Sequence, residues 1–276
     1  MSLTFDLYVA SPSWAHRVDP RVKLLFVVLG ALTMILFSNL LFMVAALTAV
    51  HLLAVSAGTP RDRFAWVWRA MLPINVLIPL LWTVFYPEGE VVFRVWVFGF
   101  TPLALARGLA VAARLDTIAF ICFFWLFTTD QMSIVRSLVK VGMPFEWGLV
   151  LAISLRYLPT VYGLYNVVAD AQRARALDLS RGNLVTRLKS YLPILVAMLI
   201  SALRTADKLG TALESRALGL EGVKRTSLHE ISFSRVDYLV AVWLVIAFAG
   251  AVVLRVLGLF THPWYPLAQA ALGCGF

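Results

Sequence analysis

Two short basic elements are the residues of this chain best suited to chemistry with a partner. Arg175-Ala176-Leu177-Asp178 and Arg216-Ala217-Leu218-Gly219 share an Arg-Ala-Leu core. The planar guanidinium of arginine binds a carboxylate through two parallel hydrogen bonds, and small neighbouring residues let another backbone approach closely. We interpret two sets of residues as docking elements for a paired partner: Ala174, Arg175 and Ala176, and Ser215, Arg216 and Ala217.

The other residues with chemical potential do not form a recognisable site. Four histidines and two cysteines are scattered without the spacing of metal ligands. Arg107, Arg114 and Asp116 fall in or near a predicted membrane helix, where ionisable residues are often functional, but charges close to an interface also extend towards it. We predict no catalytic, cofactor-binding or metal-binding residue. The alternative that Arg175 and Arg216 only fix topology or offset helix dipoles stays open.

Composition indicates that membrane helices must position these residues. The chain is 61% hydrophobic and 14% charged, with a mean hydropathy of +0.85, whereas soluble domains carry roughly 25% charged residues. A net charge of +9 would suit nucleic-acid binding only if it formed one face of a soluble domain. We therefore predict an integral membrane protein that contacts lipid and binds no nucleic acid.

Apolar runs predict about five transmembrane helices, since a crossing needs about 20 apolar residues. The predicted spans are residues 22–39, 40–57, 68–86, 105–128 and 236–258. With the amphipathic segments described next, the predicted fold class is an all-α polytopic membrane protein with long amphipathic cytoplasmic helices.

The segment 129–235 has shorter uncharged runs than the predicted spans. Its pattern predicts helices at about 131–141, at 145–180 with a kink near Pro159, and at 184–220 with a helix-stopping glycine at Gly219. Whether residues 145–165 insert into the membrane stays open. One apolar face of the last helix recurs at spacings of three or four: Leu195, Leu199, Ala202, Ala206, Leu209 and Leu213.

Basic residues are sorted to one side of the predicted spans. Twenty of the 24 Lys and Arg lie in residues 1–23, 58–69 and 129–237, whereas Arg94 alone lies on the opposite side. The positive-inside rule therefore predicts a cytoplasmic amino terminus and a carboxy terminus outside. The predicted organisation is residues 1–128 with four membrane helices, 129–235 as a cytoplasmic or interfacial coupling-helix module, and 236–276 with the last membrane helix and an outer tail.

Several motifs in this order resemble the transmembrane T component of energy-coupling factor transporters, a family that includes cobalt-uptake membrane subunits. The resemblance covers nearly the whole chain. In both arginine elements an alanine stands where the family's Ala-Arg-Gly coupling motifs have glycine, which keeps the cation but not glycine's backbone freedom. The motifs are His16-Arg17-Val18-Asp19-Pro20-Arg21-Val22-Lys23, which looks like the family's Leu-Asp-Pro-Arg-Thr-Lys signature, then Thr128-Thr129, Arg156-Tyr157-Leu158-Pro159, Ala171 to Asp178 and Ala212 to Gly219.

The resemblance implies a non-enzymatic coupling scaffold in a bacterial or archaeal cell membrane. Two ATP-binding-cassette subunits would each bind one of Arg175 and Arg216 through acidic residues in a groove, using ATP and Mg²⁺ that this chain does not bind. A small membrane S component would capture a vitamin or a transition-metal ion. ATPase closure would then move the coupling helices and pass that movement to the S component.

Two other classes of protein fit the sequence less well. A self-sufficient secondary transporter is typically built from related halves with broken helices, and no repeat of spans is present. A membrane-embedded enzyme would need clustered acids or histidines at a membrane edge. The acids of the amphipathic segment, such as Asp170 and Asp207, are instead dispersed among basic residues.

Overall fold

The computed structural model describes residues 13–85, 93–95, 98–175, 184–218 and 233–258. Within these ranges the chain forms helices and one short antiparallel hairpin of β1 (Phe93–Val95) and β2 (Phe98–Phe100). The predicted all-α polytopic class is confirmed, and the hairpin is an addition that the sequence analysis did not predict. The helices are α1 (Trp14–Arg17), α2 (Pro20–Leu36), α3 (Leu40–Ser56), α4 (Arg61–Phe85), α5 (Pro102–Thr128), α6 (Gln131–Val141), α7 (Phe145–Ala174), α8 (Leu184–Glu214) and α9 (Arg235–Val256).

Four of the described helices are long and apolar enough to cross a membrane by length and composition: α4, α5, α7 and α9. Three of them overlap predicted spans, and α7 contains the segment whose insertion the sequence left open. The first two predicted spans correspond to α2 and α3, which have 17 residues each. At 1.5 Å per residue each is about 25 Å long, which is the lower limit for a crossing.

Helix α4 begins earlier than predicted. It starts at Arg61, directly after Pro60, so that Arg61 and Arg63 belong to the helix rather than to a connection. Their long side chains allow apolar stems to lie along the helix while the charge reaches the interface. The helix also continues through Pro73 and Pro79. Proline is tolerated inside membrane helices because neighbouring helices and side chains satisfy the backbone carbonyls that it leaves without a partner.

Polar caps determine where the membrane helices begin. The side chain of Thr101 accepts a hydrogen bond from the N–H of Ala104, and Pro102 provides the first residue of α5. The buried side chain of Asn39 accepts from the N–H of Phe42 at 3.1 Å and begins α3. Only three residues therefore separate α2 from α3.

Helix α5 is the centre of the packing around α2, α3 and α4. At Gly108 the backbones of α5 and α4 come close, because a Cβ there would lie 2.7 Å from Cα of Pro79. Glycine is needed where two helices approach so closely. The main apolar cluster of this region consists of Val50, Val67, Phe120, Ile121 and Phe127.

The chain divides into two compact units. The first unit contains residues 1–143 and 231–276, so that it holds α1 to α6 and α9. The second unit contains residues 144–230, which include α7 and α8. Both arginine elements therefore belong to the second unit.

Candidate functional site

The second unit is a pair of long helices with an apolar groove between them. Residues of α7 and α8 enclose a cavity volume of about 530 Å³. Its walls include Ile153, Val161 and Leu164 from α7. Five of the six residues of the predicted apolar face of α8 also line it, which confirms that prediction: Leu195, Leu199, Ala202, Ala206 and Leu209.

The reach of the chain sets the direction of the two helices. Ten residue steps from Ala174 to Leu184 extend at most about 35 Å. In a parallel pair with the groove residues 153–164 and 195–209 side by side, those two ends would lie roughly 50 Å apart. The two helices therefore run in opposite directions along the groove.

Arg175 lies at the end of α7. It is the C-cap residue, with φ −87° and ψ 18°, and its N–H donates to the carbonyl of Gln172 at 3.0 Å. Ala174 is the last residue of the helix, and the side chains of both residues are exposed. Ala176, the third residue predicted for this element, lies outside the described residues.

Arg216 lies at the end of α8, in a turn that satisfies the last carbonyls of the helix. The N–H of Ala217 donates to Glu214 at 2.9 Å, and the N–H of Leu218 donates to Leu213 at 3.1 Å. This hydrogen-bond pattern is the Schellman motif, which places a left-handed residue directly after the helix cap. Here that residue is Ala217, with φ 60°.

The prediction of Gly219 as the helix-stopping residue is therefore wrong. Helix α8 ends at Glu214, and the left-handed conformation is at Ala217. An L-residue with a Cβ adopts this conformation at a cost of about 1 kcal/mol, which glycine does not incur. The alanine in the third position of this element thus adopts the backbone conformation that glycine favours.

The two arginines share one local geometry. Each follows the last turn of a long helix, each is exposed, and among the described residues neither forms an ion pair. Arg173 differs, because its guanidinium contacts the carboxylate of Asp170 at 3.0 Å. Ser215, beside Arg216, is also exposed and small. Arg175 and Arg216 are therefore open to an acidic partner, although cations at helix C-termini also offset the helix dipole.

The arginines lie at opposite ends of the helix pair. Arg175 lies about 16 Å beyond Leu164 along α7, and Arg216 lies about 10 Å beyond Leu209 along α8. Because the helices are antiparallel, these extensions point away from each other. One small surface cannot contact both arginines, whereas two separate partners can each contact one.

A buried polar network in the first unit was missed as a functional feature. The N–H of Asp19 donates to Oδ1 of Asp237 at 2.9 Å, and Nζ of Lys23 donates to the carbonyl of Thr128 at 2.8 Å. Asp19 is 4%, Lys23 6% and Asp237 4% exposed. We call Asp19, Lys23, Thr128 and Asp237 the clasp. It connects the start of α2 with the end of α5 and the start of α9.

Local caps hold the clasp in place. Asp19 is the N-cap of α2 and accepts from the N–H of Arg21 at 2.8 Å. Ser234 and Asp237 form a reciprocal capping box at the start of α9. The guanidinium carbon of Arg21 lies 5.2 Å from the centroid of Phe233. The available sequence signals were the Asp-Pro-Arg-x-Lys motif and this capping box, which lie far apart in the chain.

Two of the three ionisable residues singled out on α5, Arg114 and Asp116, form contacts with neighbouring helices and turns. Arg114 donates to the carbonyl of Phe37 and to Oγ of Ser38, so that it caps the turn after α2. Asp116 is buried and accepts from Nδ2 of Asn75 at 3.1 Å. Within the described ranges no three His, Cys, Asp or Glu side chains are grouped as a metal site would require.

Known proteins are similar to this chain over most of its length. The cobalt transport protein family, CbiQ, matches residues 11–226. A protein of Brevibacillus brevis called energy-coupling factor transporter transmembrane protein EcfT is 31% identical over 252 residues, which cover 87% of this chain and 94% of that protein. EcfT of Lactococcus lactis subsp. cremoris is 30% identical, covering 87% and 92%. EcfT of Acidaminococcus fermentans is 28% identical, covering 92% and 97%.

Proposed function

Because this chain belongs to the CbiQ family of cobalt transport proteins and is the transmembrane T component of an energy-coupling factor transporter, we propose that it is a non-catalytic coupling scaffold. In this proposal it connects two ATP-binding-cassette subunits to a small membrane S component. The S component captures a vitamin or a transition-metal ion. A self-sufficient secondary transporter is not favoured, since the similar proteins are named as the transmembrane protein of an energy-coupling factor transporter.

The observation that carries the proposal is the placement of Arg175 and Arg216. Two exposed cations end two antiparallel helices of one unit, and neither pairs with an acid in the described part of the chain. A single polypeptide cannot offer a two-fold symmetric surface to a pair of similar ATPases. Two elements with the same chemistry at opposite ends of a helix pair instead give each ATPase its own arginine to bind.

The small neighbours of each arginine support close docking. Ala174 precedes Arg175, and Ser215 and Ala217 flank Arg216. With little side-chain bulk beside it, a guanidinium enters an acidic groove and binds a carboxylate with two hydrogen bonds. The loss of one partner from such a desolvated pair costs about 2–5 kcal/mol.

The groove between α7 and α8 supports transmission of movement. When the ATPases close on ATP and Mg²⁺, they displace the two helix ends relative to each other. Because α7 and α8 contact along the groove, their displacement changes its width. An S component that packs on this apolar groove senses the change. In this proposal the chain binds no nucleotide and transmits the movement of the ATPases to the S component.

The first test is purification of the chain in mild detergent from its native membrane, followed by mass spectrometry of the proteins that accompany it. We expect two ATP-binding-cassette subunits, identical or different, and one small hydrophobic protein. That small protein would also indicate the substrate. A chain that purifies alone and transports after reconstitution would overturn the proposal.

The second test reverses the two charges. In Arg175→Glu/Arg216→Glu the ATPases should no longer accompany the chain and uptake should stop, while each single change should weaken association at least about 30-fold, or 2 kcal/mol. The matched control is Arg173→Glu/Arg204→Glu, which changes two exposed arginines on the same helices. Equal loss of association in both double variants would indicate an effect of net charge instead of docking.

A further inference from the structure

A second groove lies in the first unit, where residues of α1, α2, α3, α5 and α9 meet. It has a cavity volume of about 130 Å³, and apart from Lys23 its walls are apolar. Val22 lies near the start of α2, Phe124 near the end of α5 and Val240 near the start of α9. The groove therefore opens at the end of the unit that the positive-inside rule assigns to the cytoplasmic leaflet.

Two exposed arginines are close in sequence to residues that line the groove. Arg17 lies between Trp14 and Val18, which both line the groove, and Arg235 is the first residue of α9. Both arginines are exposed, and no acidic partner is found for either among the residues that the structure describes. The guanidinium of Arg21 is stacked over Phe233 beside them.

Two acids that are close in sequence to residues of the groove are turned away from the surface. Asp19 and Asp237 are buried, and Asp237 accepts hydrogen bonds from the N–H of Asp19 and from the N–H of Ser234. Their charge is thus partly satisfied by backbone N–H groups and by the nearby Lys23, while Arg17 and Arg235 remain at the surface. Arg17 and Arg235 therefore give this side of the groove exposed positive charge.

We propose that this groove binds one anionic phospholipid of the cytoplasmic leaflet. An acyl chain lies against Phe26, Val240 and Leu244, and the phosphodiester faces Arg17 and Arg235. Guanidinium groups bind phosphate oxygens in two-pronged geometry, and basic residues at the membrane surface attract anionic lipids.

The test measures lipid binding to the full-length chain by native mass spectrometry. Phosphatidylglycerol and phosphatidylcholine with identical acyl chains are added in equal amounts to the protein in detergent. We expect about tenfold more bound phosphatidylglycerol, in line with two guanidinium contacts to one anionic headgroup. Equal binding of the two lipids by the unmodified chain would overturn the proposal.

Charge variants test the headgroup site. Arg17→Gln/Arg235→Gln should bind the two lipids equally, whereas Arg255→Gln, an exposed change at the other end of α9, should keep the preference. Circular dichroism shows whether the double variant folds. If it does not, each single variant should lose part of the preference. Folded single and double variants that all retain the full preference would exclude these arginines as the headgroup site.

A space-filling variant tests the acyl-chain site. Val240→Trp puts an indole into the groove and should reduce phosphatidylglycerol binding severalfold while both arginines remain. Val245→Trp lies on the same helix but outside the groove walls, and it should leave phosphatidylglycerol binding unchanged. No effect of Val240→Trp in a folded protein would contradict occupation of the groove by a lipid chain. None of these experiments involves the ATPases, so their result is independent of the coupling proposal.

Discussion

Among the residues that the structure describes, Ala217 is the non-glycine residue with a left-handed backbone. Its φ of 60° is left-handed, and its N–H and that of Leu218 close the end of α8. In Ala217→Gly the strain of about 1 kcal/mol should be relieved, so that the amides of these two residues exchange with deuterium about fivefold more slowly. Hydrogen exchange with mass spectrometry measures this on the full chain.

The opposite change gives the control for this position. Ala217→Val places a β-branched side chain in the left-handed region, where it is a genuine outlier. Exchange at the end of α8 should therefore become faster than in the unmodified chain. Faster exchange in the glycine variant as well would show that the turn does not depend on the conformation of residue 217.

Lys23 is the cation of the clasp. Its buried ammonium donates to the carbonyl of Thr128, and the carboxylates of Asp19 and Asp237 act on it electrostatically. Lys23→Met keeps the length of the side chain but leaves a buried acceptor unpaired, which costs about 1–3 kcal/mol. We expect a melting temperature several degrees lower, measured by intrinsic fluorescence in detergent.

An exposed lysine provides the comparison for Lys23. Lys189→Met, on the surface of α8, removes the same charge without a buried partner and should leave the melting temperature nearly unchanged. If Lys23→Met melted like the unmodified chain, the clasp would contribute no stability.

At the scale of residues, local patterns were predictable and distant contacts were not. The repeated Arg-Ala-Leu core identified Arg175 and Arg216, because the pattern lies within a few consecutive residues. The bond between Asp19 and Asp237 joins residues 218 positions apart, and no local pattern encodes that distance. The docking role of the arginine elements stays a prediction, which the charge-reversal experiment tests.

At the scale of elements, the close contact of α4 and α5 depends on Gly108. A Cβ there would lie 2.7 Å from Cα of Pro79 and 3.1 Å from Cβ of Trp82, and backbone atoms cannot move aside as a flexible side chain does. Gly108→Leu should therefore force the helices apart and cost about 1–3 kcal/mol or more. We expect a lower melting temperature and less monodisperse protein on size-exclusion chromatography.

Gly250 is the matched control for this contact. It also lies inside a membrane helix, α9, but a Cβ there meets no atom within 4 Å. Gly250→Ala should leave both measurements unchanged or slightly improved, since alanine favours the helix. If Gly108→Leu behaved in the same way, the close approach of α4 and α5 would not require glycine.

Helix positions were predictable where the sequence carries both a periodic pattern and an end signal. Helix α6 has the predicted bounds, 131–141, because Asp130 precedes it and Gly142 ends it with φ 135°. Helix α4 was predicted to begin seven residues late, since arginines at the start of a span lower its hydropathy although the backbone stays helical. Hydropathy therefore locates the apolar part of a helix and not its ends.

At the scale of the whole molecule, the distribution of basic residues makes the topology testable. Twenty Lys and Arg lie on one side of the predicted spans and one lies on the other. With five crossings, the positive-inside rule predicts an amino terminus in the cytoplasm and a carboxy terminus outside. Helix α7 is also long and apolar enough to cross, and one additional crossing would return the carboxy terminus to the cytoplasm.

Fusions at the two ends distinguish five crossings from six. Alkaline phosphatase folds only outside the cytoplasmic membrane and green fluorescent protein only inside it. With five crossings, phosphatase after Phe276 should be active and fluorescent protein at the same position dark, while fluorescent protein before Met1 should fluoresce. The reverse pattern at Phe276, with the amino-terminal fusion still fluorescent, would mean that α7 crosses the membrane alone. Arg175 and Arg216 both lie between α7 and α9 or next to them, so both would then be outside, and ATPases confined to the cytoplasm could bind neither.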